Sequence, residues 1–232
     1  MPNIIDFIFP EIQEWKKTKQ ILENGLIGEI LSVNVDWNFF SYDLQHNIDS
    51  WKTDVTKGGG ALSFYFSHVF HYLEYFLGKI ENLQCNLFFS NHNQNSAETG
   101  VDMSILFANG CKGHAQMDIS GKDVPKHQIE FLGKNGSMIL KNTSSNFVEN
   151  FEITVKTAHG IQHIQLPKSS LNTFEDSRVK VVLPIAKRFI DWCNTGVASK
   201  PDFEDGMRVQ ELIELARNSF SNENYEQFSK NR

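Results

Sequence analysis

The chain has 232 residues, 40% of them hydrophobic and 22% charged, with 22 Lys+Arg against 28 Asp+Glu and a formal charge of −6. That balance belongs to a folded globular chain, not a disordered one, and the acidic surplus argues against a nucleic-acid partner, which selects a clustered basic face. No apolar run approaches the roughly 18 residues of a membrane helix, and the opening MPNIIDFIFP lacks the basic start of a signal peptide.

The length fits one domain over 1–232 with a substantial core. Cys85, Cys111 and Cys193 are odd in number and far apart. They read as reduced packing residues of a cytoplasmic protein, not as a disulfide framework or a zinc site. The densest basic stretch, Lys16, Lys17 and Lys19, shares its helix with Glu11, Glu14 and Glu23, which makes a solvated face.

In chain order, residues 11–25 predict an amphipathic helix, with Ile12, Trp15, Thr18/Lys19 and Leu22 at helical spacing and Gly25 as the stop. Residues 29–40 alternate with period two and predict a strand. A polar loop then leads into Gly58-Gly59-Gly60, and 61–78 is helical in length, with glycine at both ends. Short strands are expected at 80–90, 98–108, 110–119, 127–133, 136–142, 151–157 and 160–166. Asn109-Gly110, Asn135-Gly136 and His159-Gly160 stand where hairpin turns need positive φ. A helix over 173–194 contains Pro184, which kinks it or marks its start. Another over 204–222 carries Val209, Leu212, Ile213 and Ala216 on one stripe, ahead of a polar tail. This order defines an α+β fold: a large, mainly antiparallel, open-faced β-sheet with helices packed on one face.

On an α-helical projection of 61–77, Leu62, Phe66, Val69, Phe70, Leu73, Phe76 and Leu77 form a core face. Phe64, Tyr65, His68, His71, Tyr72 and Tyr75 form an opposite face of aromatic rings tipped with imidazole and phenol. Such a face either packs as satisfied core or lines a pocket for a hydroxylated ligand. The glycine triplet permits close backbone approach and free amides near a helix start, or is simply a flexible turn. Neither G-x-x-x-x-G-K-[ST] nor G-x-G-x-x-G occurs. His46, His68 and His71 lack the carboxylate or cysteine that would complete a metal site, so none is expected.

The stretch SWKTDVTKGGGALSFYFSHVFHYLEYFLG resembles the signature that follows the Rossmann half of the Gfo/Idh/MocA oxidoreductases. FPEIQEWKKTKQILENGLIGEILSVNVDW resembles that family's entry into its second domain, and PDFEDGMRVQELIELARNSF its closing helix, so the likeness runs from about residue 7 to 228. It implies the C-terminal substrate-binding and dimerisation domain of an enzyme using NAD or NADP on a sugar, sugar derivative or cyclitol, with the N-terminal Rossmann domain absent. His68 falls on the family's catalytic histidine and Lys52, after Trp51, on a basic position near substrate. Trp51, Lys52, Gly59, Gly60, His71 and Tyr72 are the implied substrate-binding set. The family usually carries Asp four residues before the histidine and Gly two before it, where this chain has Phe64 and Phe66.

The resemblance further implies that NAD(P) does not bind this chain alone, that the isolated chain has no dehydrogenase activity, and that a homodimer forms through the β-sheet face. The alternatives are a non-catalytic sugar-binding or scaffolding protein derived from such an enzyme, and a subunit working in trans with a separate dinucleotide-binding chain.

Overall fold

The computed structural model describes residues 1–90, 96–121, 123–167 and 176–230, with 221–230 described by their backbone alone. A 3-10 turn at Phe9–Glu11 leads into α1 (Gln13–Glu23), which buries Trp15, Thr18 and Ile21 at three-residue spacing. Then come β1 (Ile30–Asn38), the short α2 (Tyr42–Gln45), and 3-10 turns at Trp51–Thr53 and Val55–Lys57. A π-helical turn at Ala61–Tyr65 continues as α3 (Phe66–Leu77). The strands that follow are β2 (Ile80–Phe88), β3 (Gly100–Phe107), β4 (Lys112–Asp118), β5 (Lys126–Gly133), β6 (Gly136–Asn142), β7 (Glu152–Thr157) and β8 (Gly160–Ile164). Helices α4 (Val179–Thr195) and α5 (Phe203–Lys230) close the chain.

The eight strands form one sheet in the order β2-β3-β4-β1-β5-β6-β7-β8. Only β1 and β4 run parallel; β1 pairs antiparallel with β5, and every other neighbour is antiparallel. Strand alternation sends Val33, Val35 and Trp37, Val101, Met103 and Ile105, Ile129 and Phe131, Met138 and Leu140 to the helix side, all buried. There α1 lies against β6 and β7, and α5 against β2 and α3. Trp15, Phe66, Phe70, Phe107 and Phe131 are fully buried in one continuous core, each contributing about 2 kcal/mol through burial.

The opposite face is open and mixed. One row across it reads Ser104, His114, Asn34, Glu130, Ile139, Thr154 and His163, and another holds Leu106 and Leu132. His114 bridges three strands, with Nδ1 3.2 Å from Asn34 Oδ1 and Nε2 3.0 Å from Asp102 Oδ2.

The elements expected from the sequence are present, with five physical differences. The helix expected from residue 61 begins as a π turn, because the Phe66 amide bonds Ala61 five residues back. Pro184 neither starts nor ends α4, whose described span begins at Val179; residues 173–175 of the expected helix lie outside the described residues. Gly110 and Gly160 take positive φ as expected, but Gly136 does not. A Cβ at Gly136 would instead overlap the Lys156 carbonyl of the neighbouring strand. Helix α5 runs through most of the expected polar tail, as far as Lys230. Cys85 and Cys111 are buried, whereas Cys193, expected as a packing residue, is exposed.

Candidate functional site

The loop ahead of α3 is held by short local bonds. Ser50 Oγ accepts the Lys52 amide at 3.1 Å, and Thr53 Oγ1 accepts the Ser50 amide at 3.2 Å, which closes the turn carrying Trp51 and Lys52. The glycines then dock on that turn: the Gly60 amide donates to the Lys52 carbonyl at 2.9 Å and the Gly59 amide to Asp54 at 3.0 Å. Both glycines are buried, and a Cβ at Gly59 would overlap the Trp51 and Lys52 backbone. They let two segments close on each other, and their amides are spent within the chain.

Beyond them, His68 stands two residues into α3, partly buried, with Phe7 and Phe9 meeting its ring edge-on at 5.7 and 5.5 Å. Its Nδ1 is buried and has no hydrogen-bond partner among the described residues. Burial, reinforced by neighbouring His71, pulls its pKa down to about 4, so the imidazole is neutral near pH 7. His71 stacks on Phe7 at 4.1 Å, and burial lowers it to about 4 as well. It lines a cavity of about 710 Å³ with Phe7, Glu74, Tyr75, Lys79 and Arg208.

Phe64, one turn before His68, is part of a second patch. Trp51, 49% exposed, meets it edge-on at 5.2 Å, and Lys52 Nζ lies 4.8 Å from its ring centre. Lys52 also lines a polar cavity of about 350 Å³ with Asp43, Asn47, Asp49, Thr53 and Thr99.

Tyr72 sits elsewhere. It is fully buried, its hydroxyl lies 3.2 Å from His127 Nε2, and Phe9 and Trp15 enclose it. The expected set therefore divides: Trp51 and Lys52 gather at Phe64, His68 and His71 gather at Phe7, and Gly59, Gly60 and Tyr72 belong to the interior.

The sequence reading passed over three groups. His127 stacks on Trp37 at 4.3 Å, and burial, with His68 as a second cause, lowers its pKa to about 3. The strand alternation of HQIEFLG already put it on the inner face with Ile129 and Phe131. Phe9 is the hub, touching the rings of Trp15, Trp37, His68, Tyr72 and His127. Glu98, 1% exposed, reaches the helix start, and nothing local in the sequence marks it. No group of three His, Cys, Asp or Glu side chains converges to hold a metal among the described residues.

A neutral imidazole walled by aromatic rings thus stands on a helix on the covered side of an open-faced sheet, in an α+β domain. The chain belongs to the Gfo/Idh/MocA oxidoreductases, its residues 19–227 matching the family described as "Oxidoreductase family, C-terminal alpha/beta domain". A curated oxidoreductase of Synechocystis sp. is 24% identical over 238 residues, covering 92% of this chain, and the chain spans 62% of that relative's length. Levoglucosan dehydrogenase in complex with NADH and L-sorbose superposes with TM-score 0.79 at 19% identity, over 96% of this chain and 65% of that one. The aldose-aldose oxidoreductase of Caulobacter crescentus, complexed with glycerol, gives TM-score 0.75 at 14% identity, over 95% of this chain and 62% of that one. At these identities the superpositions establish the fold.

G-x-G-x-x-G is absent, and the parallel strands β1 and β4 are joined through α3, β2 and β3, not through a single glycine loop and helix.

Proposed function

We propose that this chain is the substrate-binding portion of an NAD(P)-dependent oxidoreductase acting on a sugar, sugar derivative or cyclitol, with His68 as its proton-handling group. The observation that carries this reading is the buried, unpartnered Nδ1 of a neutral His68 inside an aromatic wall. A neutral imidazole can accept the proton of a substrate hydroxyl and return it. Lys52 supplies a hydrogen-bond donor to substrate oxygen, Trp51 an exposed ring for its C–H face, and His71 a second imidazole. Gly59, Gly60 and Tyr72 shape the site without touching the ligand. The dinucleotide belongs to residues other than those described.

Several further features go with this reading. Residues 1–232 act as one domain, supported by a core cluster continuous from Phe7 to Ala216. No helix among the described residues is long and apolar enough to cross a membrane. A cytoplasmic location suits the three free cysteines. A homodimer through the open sheet face would cover Leu106 and Leu132, 38% and 49% exposed.

Calorimetric titration of the chain with levoglucosan, L-sorbose and myo-inositol, with and without NADH, tests the proposal. Saturable binding that weakens by about tenfold or more in H68A and K52A supports it. Absence of binding across the panel in both conditions overturns it.

The second reading, a sugar-binding protein without catalysis, is favoured by Phe64, since no carboxylate orients the His68 ring from one turn away. Fusing the part of NADH-bound levoglucosan dehydrogenase that this chain does not cover ahead of residue 1 separates the two. Turnover in the fusion supports the first reading, and binding without turnover supports the second.

A further inference from the structure

Glu98 lies just ahead of β3, yet its chemistry is directed at the helix that carries His68. Its Oε1 accepts the amide of Leu62, 36 positions earlier in the chain, at 3.1 Å, and its carbonyl accepts the Ala61 amide at 2.9 Å. A helix start leaves its first amides without intrahelical partners, and here one buried residue takes two of them. Gly60 makes the approach possible. Its φ is +116°, and a Cβ there would overlap the Glu98 carboxylate. From the other side, Arg217 of α5 places Nη2 3.6 Å from Glu98 Oε1 and donates to Ser63 Oγ at 2.7 Å. Residues 61–63 are therefore gripped from the start of β3 and from α5 together.

The same residues open the π turn. A π turn holds more residues per turn than an α turn, so it sets the angular phase of all that follows. His68 comes three residues after that turn ends. Whatever fixes residues 61–65 also fixes the direction of the His68 ring.

We infer that Glu98 is a positioning residue for His68: seated in the gap left by Gly60 and bonded to Ala61 and Leu62, it locks the π turn and so aims the imidazole. This rests on the reading of His68 as the proton-handling group. Burial pushes the Glu98 carboxyl up, and its own amide, Arg217 and the Leu62 amide pull it back. The contact with Leu62 needs only an acceptor oxygen, so a carboxamide can replace the carboxyl.

The test is the titration of the His68 ring, followed by two-dimensional NMR in the whole chain and assigned by difference with H68Q. The wild-type midpoint is expected near 4. E98A frees the turn, admits water to the ring, and should move the midpoint up by about one unit or more toward 6.5; E98Q should restore it. A folded E98A with an unchanged midpoint, or an E98Q that fails to restore it, overturns the inference. Should E98A not fold, E98D carries the test, since it keeps the charge but falls one methylene short of Leu62, and an unchanged midpoint there also overturns it. The readout uses no sugar, so it can fail while binding succeeds, and the functional reading can fail while the coupling stands.

Discussion

Lys52 and Phe64 face each other, ammonium over ring, at 4.8 Å. A cation held over an aromatic face one turn from His68 leaves that imidazole without a counter-charge. Restoring a carboxylate with F64D is expected to raise the His68 pKa by about 1 to 3 units, because a nearby negative charge favours the protonated ring. NMR titration of the variant reads this directly, and a midpoint that stays near 4 would show that an Asp at this position does not reach His68.

The buried histidines give the fold a defined acid sensitivity. His68 and His71 are lowered to about 4 and His127 to about 3, in each case chiefly by burial. Below the ordinary value of about 6.5, the unfolded chain takes up protons that the folded chain refuses. Stability therefore falls as pH drops, by up to about 1.4 kcal/mol per pH unit for each group. The loss continues until each folded value is reached, near 4 for the first two and near 3 for the third. Urea midpoints measured at about pH 7 and about pH 5 should separate clearly, and less so in H127Q. Coincident midpoints would count against neutral burial.

Tyr72 and His127 form a buried polar pair inside an apolar shell. Y72F removes the hydroxyl and leaves His127 Nε2 without its partner, at a cost of about 1–3 kcal/mol. Chemical denaturation of the two proteins measures the difference. Sugar affinity should be unchanged, which separates an interior role from a ligand contact.

Of the three consecutive glycines, only some tolerate a methyl group. A Cβ at Gly58 meets open space, although its φ of +79° imposes strain, whereas at Gly59 it would overlap the Trp51 carbonyl. G58A should cost about 1 kcal/mol and G59A clearly more, with displacement of the Trp51–Lys52 turn. Thermal melts rank the two variants, and equal losses would show that the loop is not clamped there.

Leu106 and Leu132 lie in the same row of the open sheet face. If two copies meet there, L106E together with L132E should turn a dimer into a monomer in sedimentation velocity. A wild-type chain that sediments as a monomer at micromolar concentration removes that proposal.

Much of the fold could be read in advance, because period-two alternation and glycine punctuation report burial locally. The strand patterns of VDMSILF and HQIEFLG name their inner residues one by one. The phase of the 61–77 helix could not be read this way. Its π turn is bonded by Glu98 and Arg217, which arrive from distant parts of the chain, and Tyr72, one α-helical turn after His68, is drawn into the core by Phe9, Trp15 and His127, which are equally distant in sequence. Lys52 and His68 are candidates because a motif carries them. Glu98 and Phe9 are not, since neither burial nor ring contact is encoded in their neighbours.

The place of β1 in the middle of the sheet bears on how the chain folds. Asn34 and His114 sit side by side although 80 residues separate them, and β5, the other neighbour of β1, comes later still. During synthesis β1 emerges early and must wait, unpaired on both edges, until β4 and β5 exist. The wings β2-β3-β4 and β5-β6-β7-β8 can each form from neighbouring hairpins, but β1 is the seam that joins them. Such long-range closure makes folding slow and the final step strongly cooperative. An interval of exposed strand edge before that step is where aggregation competes with folding.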